Sequence, residues 1–289
     1  MQALAAWLVA RPQNAVLGLA ATLLLPVPPQ LTSGVIMVLL VLAQGVRLAV
    51  TEALAAATLL VVVTLVLNAP VALVVELMAT TWLPSVLLAV LLIRTRSLAL
   101  TMQVTVILAV VAMVGFYLVV TDPVAFWEPL LASMEKLVLE SGLELNTELL
   151  TAEIMTLSAT FAFWLLFIAA LLLGYGLCNK LPDKAGLYGW FRDLSFGRVI
   201  ASMMAIASLL ALIVDAAWLQ NIAFILFVVF WVQGLAIVHW LHAQQILPLG
   251  AVVAIYVLLP LLQVLLLTGL GILGYMDAWF DFRRRMKKA

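Results

Sequence analysis

The chain has 289 residues, of which 67% are hydrophobic and 10% charged, and its mean hydropathy is +1.26. A soluble domain is about 45–50% apolar and about 25% charged, and no soluble fold of this length can bury the excess, so the composition specifies a polytopic membrane protein. Acids and bases balance at 14 each, so the basic footprint of a nucleic-acid binder is missing.

A spanning helix needs about 20 apolar residues. The apolar runs between charges and Pro/Asn breaks are 14–29, 31–46, 53–67, 71–93, 98–121, 154–178, 199–217, 219–243 and 246–275. The first base, Arg11, follows the apolar stretch Ala3–Ala10, which is not the order of a cleavable signal peptide. The first three runs are short, and 14–46 also reads as a re-entrant hairpin. The last run would be about 45 Å long as one helix, too long for a hydrocarbon core of about 30 Å.

Basic residues orient the spans. Arg11, Arg47, Arg94 and Arg96 mark inner ends, as do Lys180, Lys184, Arg192 and Arg198 in the loop 179–198. The tail with Arg283, Arg284 and Arg285 is inner too. Segment 122–153 carries seven acids and one base, a net of −6, and lies outside. An even number of crossings must join the inner loop to the inner tail, yet only three runs follow it. Splitting the last run at Pro260, into about 244–259 and 261–280, restores parity. The expected fold is an all-α transmembrane helix bundle of about 8–10 spans, with both termini cytoplasmic.

Within 122–153, Leu130, Leu131, Met134, Leu137 and Val138 fall on one helical face. Ser141–Gly142 suits a helix stop, and Asn146 suits an N-cap for the following span. The segment therefore reads as a short amphipathic helix on the outer surface.

Ionisable and amide groups inside membranes are costly, which makes them site candidates. Glu76 lies within 71–93, with Pro84 beyond it, and reads as a buried carboxylate facing a cavity for a cation or amine, or as a snorkelling interface residue. Asp215, near Gln220 and Asn221, and the mid-span Gln233 complete the ligand-binding candidates. Gln44, Gln103 and Gln263 suit interhelical hydrogen bonds. His239 and His242 share a face, but no third ligand lies near, so no metal site is expected. Asp277 and Asp281, with Arg284 and Arg285, suit ion pairs on a helix leaving the membrane. Gly269, Gly271 and Gly274 suit tight packing of the last helix.

Tyr188, Trp190, Arg192 and Arg198, together with Arg283, Arg284 and Arg285, read as an interfacial aromatic and basic belt or as a docking surface. The one cysteine, Cys178, excludes an internal disulfide and multi-thiolate metal sites. No phosphate-binding loop and no hydrolase or metalloprotease motif occurs. Neither enzymatic activity nor a cofactor is expected.

Three stretches are distinctive: Leu194-Ser195-Phe196-Gly197-Arg198, Gln233-Gly234-Leu235-Ala236-Ile237-Val238-His239, and Gly271 through Arg283. Over roughly 190–285 the chain resembles the YybS-like family of bacterial inner-membrane proteins of unknown function. That family is grouped with the S components of energy-coupling-factor transporters. The resemblance implies a six-span unit over 98–289 that cradles a small molecule, preceded by extra transmembrane helices over 1–97. Two functions follow as expectations. The first is a bacterial inner-membrane bundle that binds or transports a small molecule. The second is a scaffold that docks a membrane-protein partner through 179–198 and the basic tail.

Overall fold

A computed structural model describes residues 1–141, 151–214 and 216–286. The regular structure among these residues is helical. In chain order the helices are α1 (Gln2–Ala10), α2 (Pro12–Leu23), α3 (Ser33–Gln44), α4 (Val46–Val66), α5 (Val71–Thr95), α6 (Leu98–Val119) and α7 (Pro123–Ser141). They continue with α8 (Ala152–Cys178), α9 (Gly197–Ile213), α10 (Ala217–Val228), α11 (Phe230–Ala243), α12 (Leu249–Leu258), α13 (Gln263–Phe280) and α14 (Phe282–Met286). Six segments are long and apolar enough to cross a membrane: α4, α5, α6, α8, the continuous stretch Ala217–Ala243, and α13. Three apolar helical segments are shorter: Pro29–Gln44, Gly197–Ile213 and Leu249–Leu258.

The chain forms two compact units. Unit 1 holds Met1–Thr101 and Leu165–Trp190; unit 2 holds Met102–Trp164 and Phe191–Ala289. The return of 165–190 to unit 1 has no counterpart in a simple N-terminal and C-terminal division.

Unit 1 is built around α3. Every residue from Ser33 to Leu42 is buried. Small residues let the neighbours close in. A Cβ on Gly174 of α8 would stand 2.7 Å from the Val38 Cβ and 2.8 Å from the Val35 carbonyl. A Cβ on Gly34 would stand 2.9 Å from Ser85 Oγ of α5. With 12 residues each, α2 and α3 span about 18 Å, well short of the roughly 30 Å hydrocarbon core. They are joined through the prolines at 26, 28 and 29, so 14–46 has the lengths of the re-entrant alternative rather than of two spans.

Helix α4 starts at Val46, where the sequence suggested 53. Cutting the run at charges placed Arg47 and Glu52 outside it. Glu52 instead joins Ala49, Ala53, Ala56, Leu60 and Thr64 on the buried stripe of α4. Gly45, at φ +93°, makes the sharp turn from α3 into α4, a conformation that glycine adopts without steric cost.

In unit 2, α11 is the core element, buried continuously from Phe230 to Val238. It meets α13 backbone to backbone. A Cβ on Gly234 would fall on the Leu270 carbonyl, and one on Gly274 on the Phe230 carbonyl. A Cβ on Gly271 would press on the Phe227 ring at 3.1 Å, whereas Gly269 faces open space. The tight packing expected of the last helix thus holds for Gly271 and Gly274 and not for Gly269.

The run 246–275 is divided as its length required: α12 stops at Leu258 and α13 begins at Gln263, on either side of Pro260. Helix α7 is helical through Ser141, the last described residue before 151, so the expected stop at Ser141–Gly142 lies at the edge of the described residues. Its start is capped by Asp122, whose Oδ1 accepts the N–H groups of Val124 at 3.0 Å and Ala125 at 3.1 Å. Trp127, Leu131 and Met134 are half-buried, while Leu130 and Leu137 are exposed, so the helix presents a narrower stripe than the expected face. Gly142 and Asn146 lie outside the described residues.

Candidate functional site

Two polar clusters stand inside apolar helices, one in each unit. In unit 2 the backbone contact of Gly234 and Gly274 brings Gln233 and Asp277 side by side. Gln233 Nε2 donates to Asp277 Oδ2 at 2.9 Å, and Gln233 Oε1 accepts the Phe196 N–H at 2.7 Å. Asp281 ends α13 in the left-handed conformation, which Asp tolerates better than most residues. The chain reverses there, and Arg283 folds back onto Asp277.

The Arg283 Nε and Nη2 donate to Asp277 Oδ2 at 3.1 and 2.7 Å. Its Nη1 and Nη2 also donate to the carbonyls of Arg192 and Leu194, at 2.8 and 2.7 Å. Gln103 secures the same loop from α6, donating to the Phe196 carbonyl at 3.0 Å. Asp277 and Arg283 are both buried, and Asp277 Oδ1 has no partner among the described residues. The cluster clips 192–196 to α11 and α13, and nearly every polar atom in it is committed to another protein group.

In unit 1 the buried polar groups surround α3. Trp82 Nε1 donates to Ser33 Oγ at 2.7 Å, and Ser33 Oγ donates to the Leu19 carbonyl at 3.0 Å. Ser85 Oγ donates to the Thr81 carbonyl at 2.7 Å, while the buried Thr81 Oγ1 has no partner among the described residues. At the other end of α3, Gln44 Nε2 donates to Glu52 Oε2 at 2.6 Å. Glu52 is only 3% exposed, and no ion pair among the described residues involves it.

The sequence-derived candidates separate accordingly. Glu76 is exposed on α5, with Pro84 inside the same helix. Gln233 is fully buried and hydrogen-bonded at both ends of its amide. Asp215 lies outside the described residues. Among the docking candidates, Trp190, Arg192, Arg198, Arg284 and Arg285 are exposed. Arg283 is not: the reversal at Asp281 buries it and commits it to Asp277.

Tyr188 is held from both sides. Its N–H donates to Tyr175 Oη at 3.0 Å, and its carbonyl accepts the Leu98 N–H at 2.7 Å. Burial pushes its phenol above the usual tyrosine range, against the opposing pull of Arg96. His239 Nε2 bonds to Tyr256 Oη at 2.9 Å and His242 Nδ1 to the Leu247 carbonyl at 3.0 Å. No group of three metal-ligating side chains forms among the described residues.

Glu52 and the Asp277–Arg283 pair had escaped the sequence reading. Glu52 sits beside Arg47 and looked like part of an inner loop. Its regular spacing with Ala49, Ala53 and Ala56 is the signal that places it on a helix face. Arg283 is six residues from Asp277, a separation that no helical periodicity connects.

A helical bundle with six candidate spans and buried ionisable side chains defines a polytopic membrane protein. Residues 126–278, just over half of the chain, match the family described as Predicted membrane protein (DUF2232), and the chain belongs to that family. The matched segment includes α8 to α12 with Gln233, and Asp277 of α13. No curated protein and no solved structure matches the chain.

Proposed function

We infer that this protein binds a small solute within the membrane and moves it, with the α2–α3 hairpin of unit 1 as the working element. The observation that carries this reading is α3 itself: a helix too short to cross, enclosed on all sides, flanked by Ser33, Thr81 and Ser85 at one end and Gln44 and Glu52 at the other. Interrupted helices enclosed by protein at membrane depth are what transporters use to present polar groups to a solute. A bundle that serves only as a scaffold has no use for buried carboxylates and hydroxyls, which cost several kcal/mol or more when unpaired (about 1–3 per neutral group).

The resemblance of 190–285 to the YybS-like family, and its grouping with solute-binding S components, is in keeping with this reading. The docking alternative draws on the exposed Trp190, Arg192, Arg198, Arg284 and Arg285, but it loses the buried Arg283. Arg11 and Arg47, near the two ends of the hairpin, favour by the positive-inside rule an opening toward the cytoplasmic face of a bacterial inner membrane in this reading.

Hydrogen exchange on the reconstituted protein tests the proposal. A hairpin that opens to a solute admits water, so amides of 33–44 exchange faster than those of α11, the buried core of unit 2. Protection of 33–44 equal to that of α11 overturns the reading.

A further inference from the structure

We propose that Glu52 and Gln44 form a proton-binding site in unit 1, a step that rests on the solute-handling reading above and names the proton as one species handled. Glu52 lies five residues beyond Arg47, about 7–8 Å further along α4. It points into the bundle on the stripe that carries Ala49, Ala53 and Ala56. Among the described residues its hydrogen-bond partner is the Gln44 amide.

Among the described residues, the elements packed most closely against α4 are α2, α3 and α5. Helices α2 and α3 carry no ionisable side chain, and Arg11 precedes α2. Helix α5 carries Glu76 and Arg94, both exposed, with Arg96 exposed at its C-cap; Arg47 on α4 is exposed as well. Among the described residues no cation pairs with the carboxylate. An ionised carboxylate held by one amide donor in such surroundings is expensive, and the low-cost state takes up a proton.

The partner is suited to both states. An amide has a donor end and an acceptor end. With Glu52 ionised, Gln44 Nε2–H donates to Oε2, as observed. When one proton from water converts the carboxylate to the acid, the Gln44 amide can turn over, and its Oε1 then accepts the new Glu52 O–H. Neither state leaves the pair unbonded, so proton uptake and release leave the end of α3 anchored. A lysine or arginine in place of Gln44 would hold Glu52 ionised; an apolar residue would serve neither form.

Infrared spectroscopy of the full chain in lipid, titrated with the proton as the probe, tests this. The wild type shows a carbonyl-stretch band of a buried carboxylic acid that converts to carboxylate bands as pH rises, and Glu52→Gln removes it. Gln44→Leu deletes the bond to both forms and raises the midpoint by about one pH unit, the margin by which a hydrogen bond to a charged group exceeds one to a neutral group. Spectra of Glu52→Gln identical to the wild type overturn the site, as does a midpoint unmoved in Gln44→Leu, a variant that keeps the carboxylate. A missing band with rapidly exchanging 33–44 removes the proton site and leaves the solute reading in place; a protected 33–44 removes the solute reading itself.

Discussion

The Asp277–Arg283 pair gives the most quantitative test of unit 2. Asp277 Oδ2 accepts two guanidinium bonds from Arg283, at 2.7 and 3.1 Å, and one from Gln233 at 2.9 Å. Replacing Asp277 by Leu leaves a buried guanidinium without its counter-charge. Breaking a buried pair from one side costs about 3–5 kcal/mol. The Arg192 and Leu194 carbonyls still receive Arg283, which places the expected loss near the low end, about 3 kcal/mol. At roughly 2–4 °C per kcal/mol for a large domain, Tm in micelles falls by about 6–12 °C. Arg283→Met alone is also destabilising, since it strands the Asp277 carboxylate and two carbonyls.

The double variant Asp277→Leu/Arg283→Met removes both charges and is more stable than the sum of the single losses allows, with a coupling of about 1–3 kcal/mol. Thermal unfolding followed by tryptophan fluorescence across the four proteins measures this. Losses that add to within about 0.5 kcal/mol would refute a direct, buried pair.

Three further outcomes follow from the packing and the charges. Gly234→Ala places a methyl on the Leu270 carbonyl and destabilises by at least the roughly 1–3 kcal/mol of an overpacked core, which lowers Tm, while Gly269→Ala, which faces open space, leaves Tm unchanged or raised. Burial that raises the Tyr188 phenol stabilises its neutral form. That contribution is complete below the unfolded value of about 10 and is lost as pH rises through the higher folded value. An ultraviolet titration therefore loses a late-titrating component in Tyr188→Phe, and a curve unchanged in that variant would contradict the assignment. Cysteines introduced singly at Ser133 and Arg285, in a Cys178→Ser background, label from opposite faces of sealed vesicles; labelling from one face would overturn the orientation drawn from the basic residues.

Much of the architecture was written in length and charge. The last apolar run was too long for one span and carried Pro260, and it is divided there into α12 and α13; α12, with 10 residues, is shorter than a spanning helix, so the division gives one candidate span and not the two that the crossing parity required. The first third of the chain was less legible because charge was taken as a boundary. Glu52 looked like loop, yet a single amide from a neighbouring helix end lets it stay inside α4. Tertiary reversal hid the other cluster: only the left-handed Asp281 brings Arg283 back to Asp277. Glu76 is the converse case, a carboxylate in an apolar run that lies on the exposed face of its helix.

The central claim is that α3 works as a mobile, water-reached element and not as inert filling. Ser33, fully buried at its start, is the place to ask. Ser33→Cys in the Cys178→Ser background is treated with a membrane-impermeant thiol reagent in vesicles, with Asp183→Cys in the exposed 179–190 loop as the control. The account predicts that Ser33→Cys labels, more slowly than the control and at a rate that changes with pH as Glu52 takes up its proton. A Ser33→Cys that never labels while Asp183→Cys labels fully would contradict it.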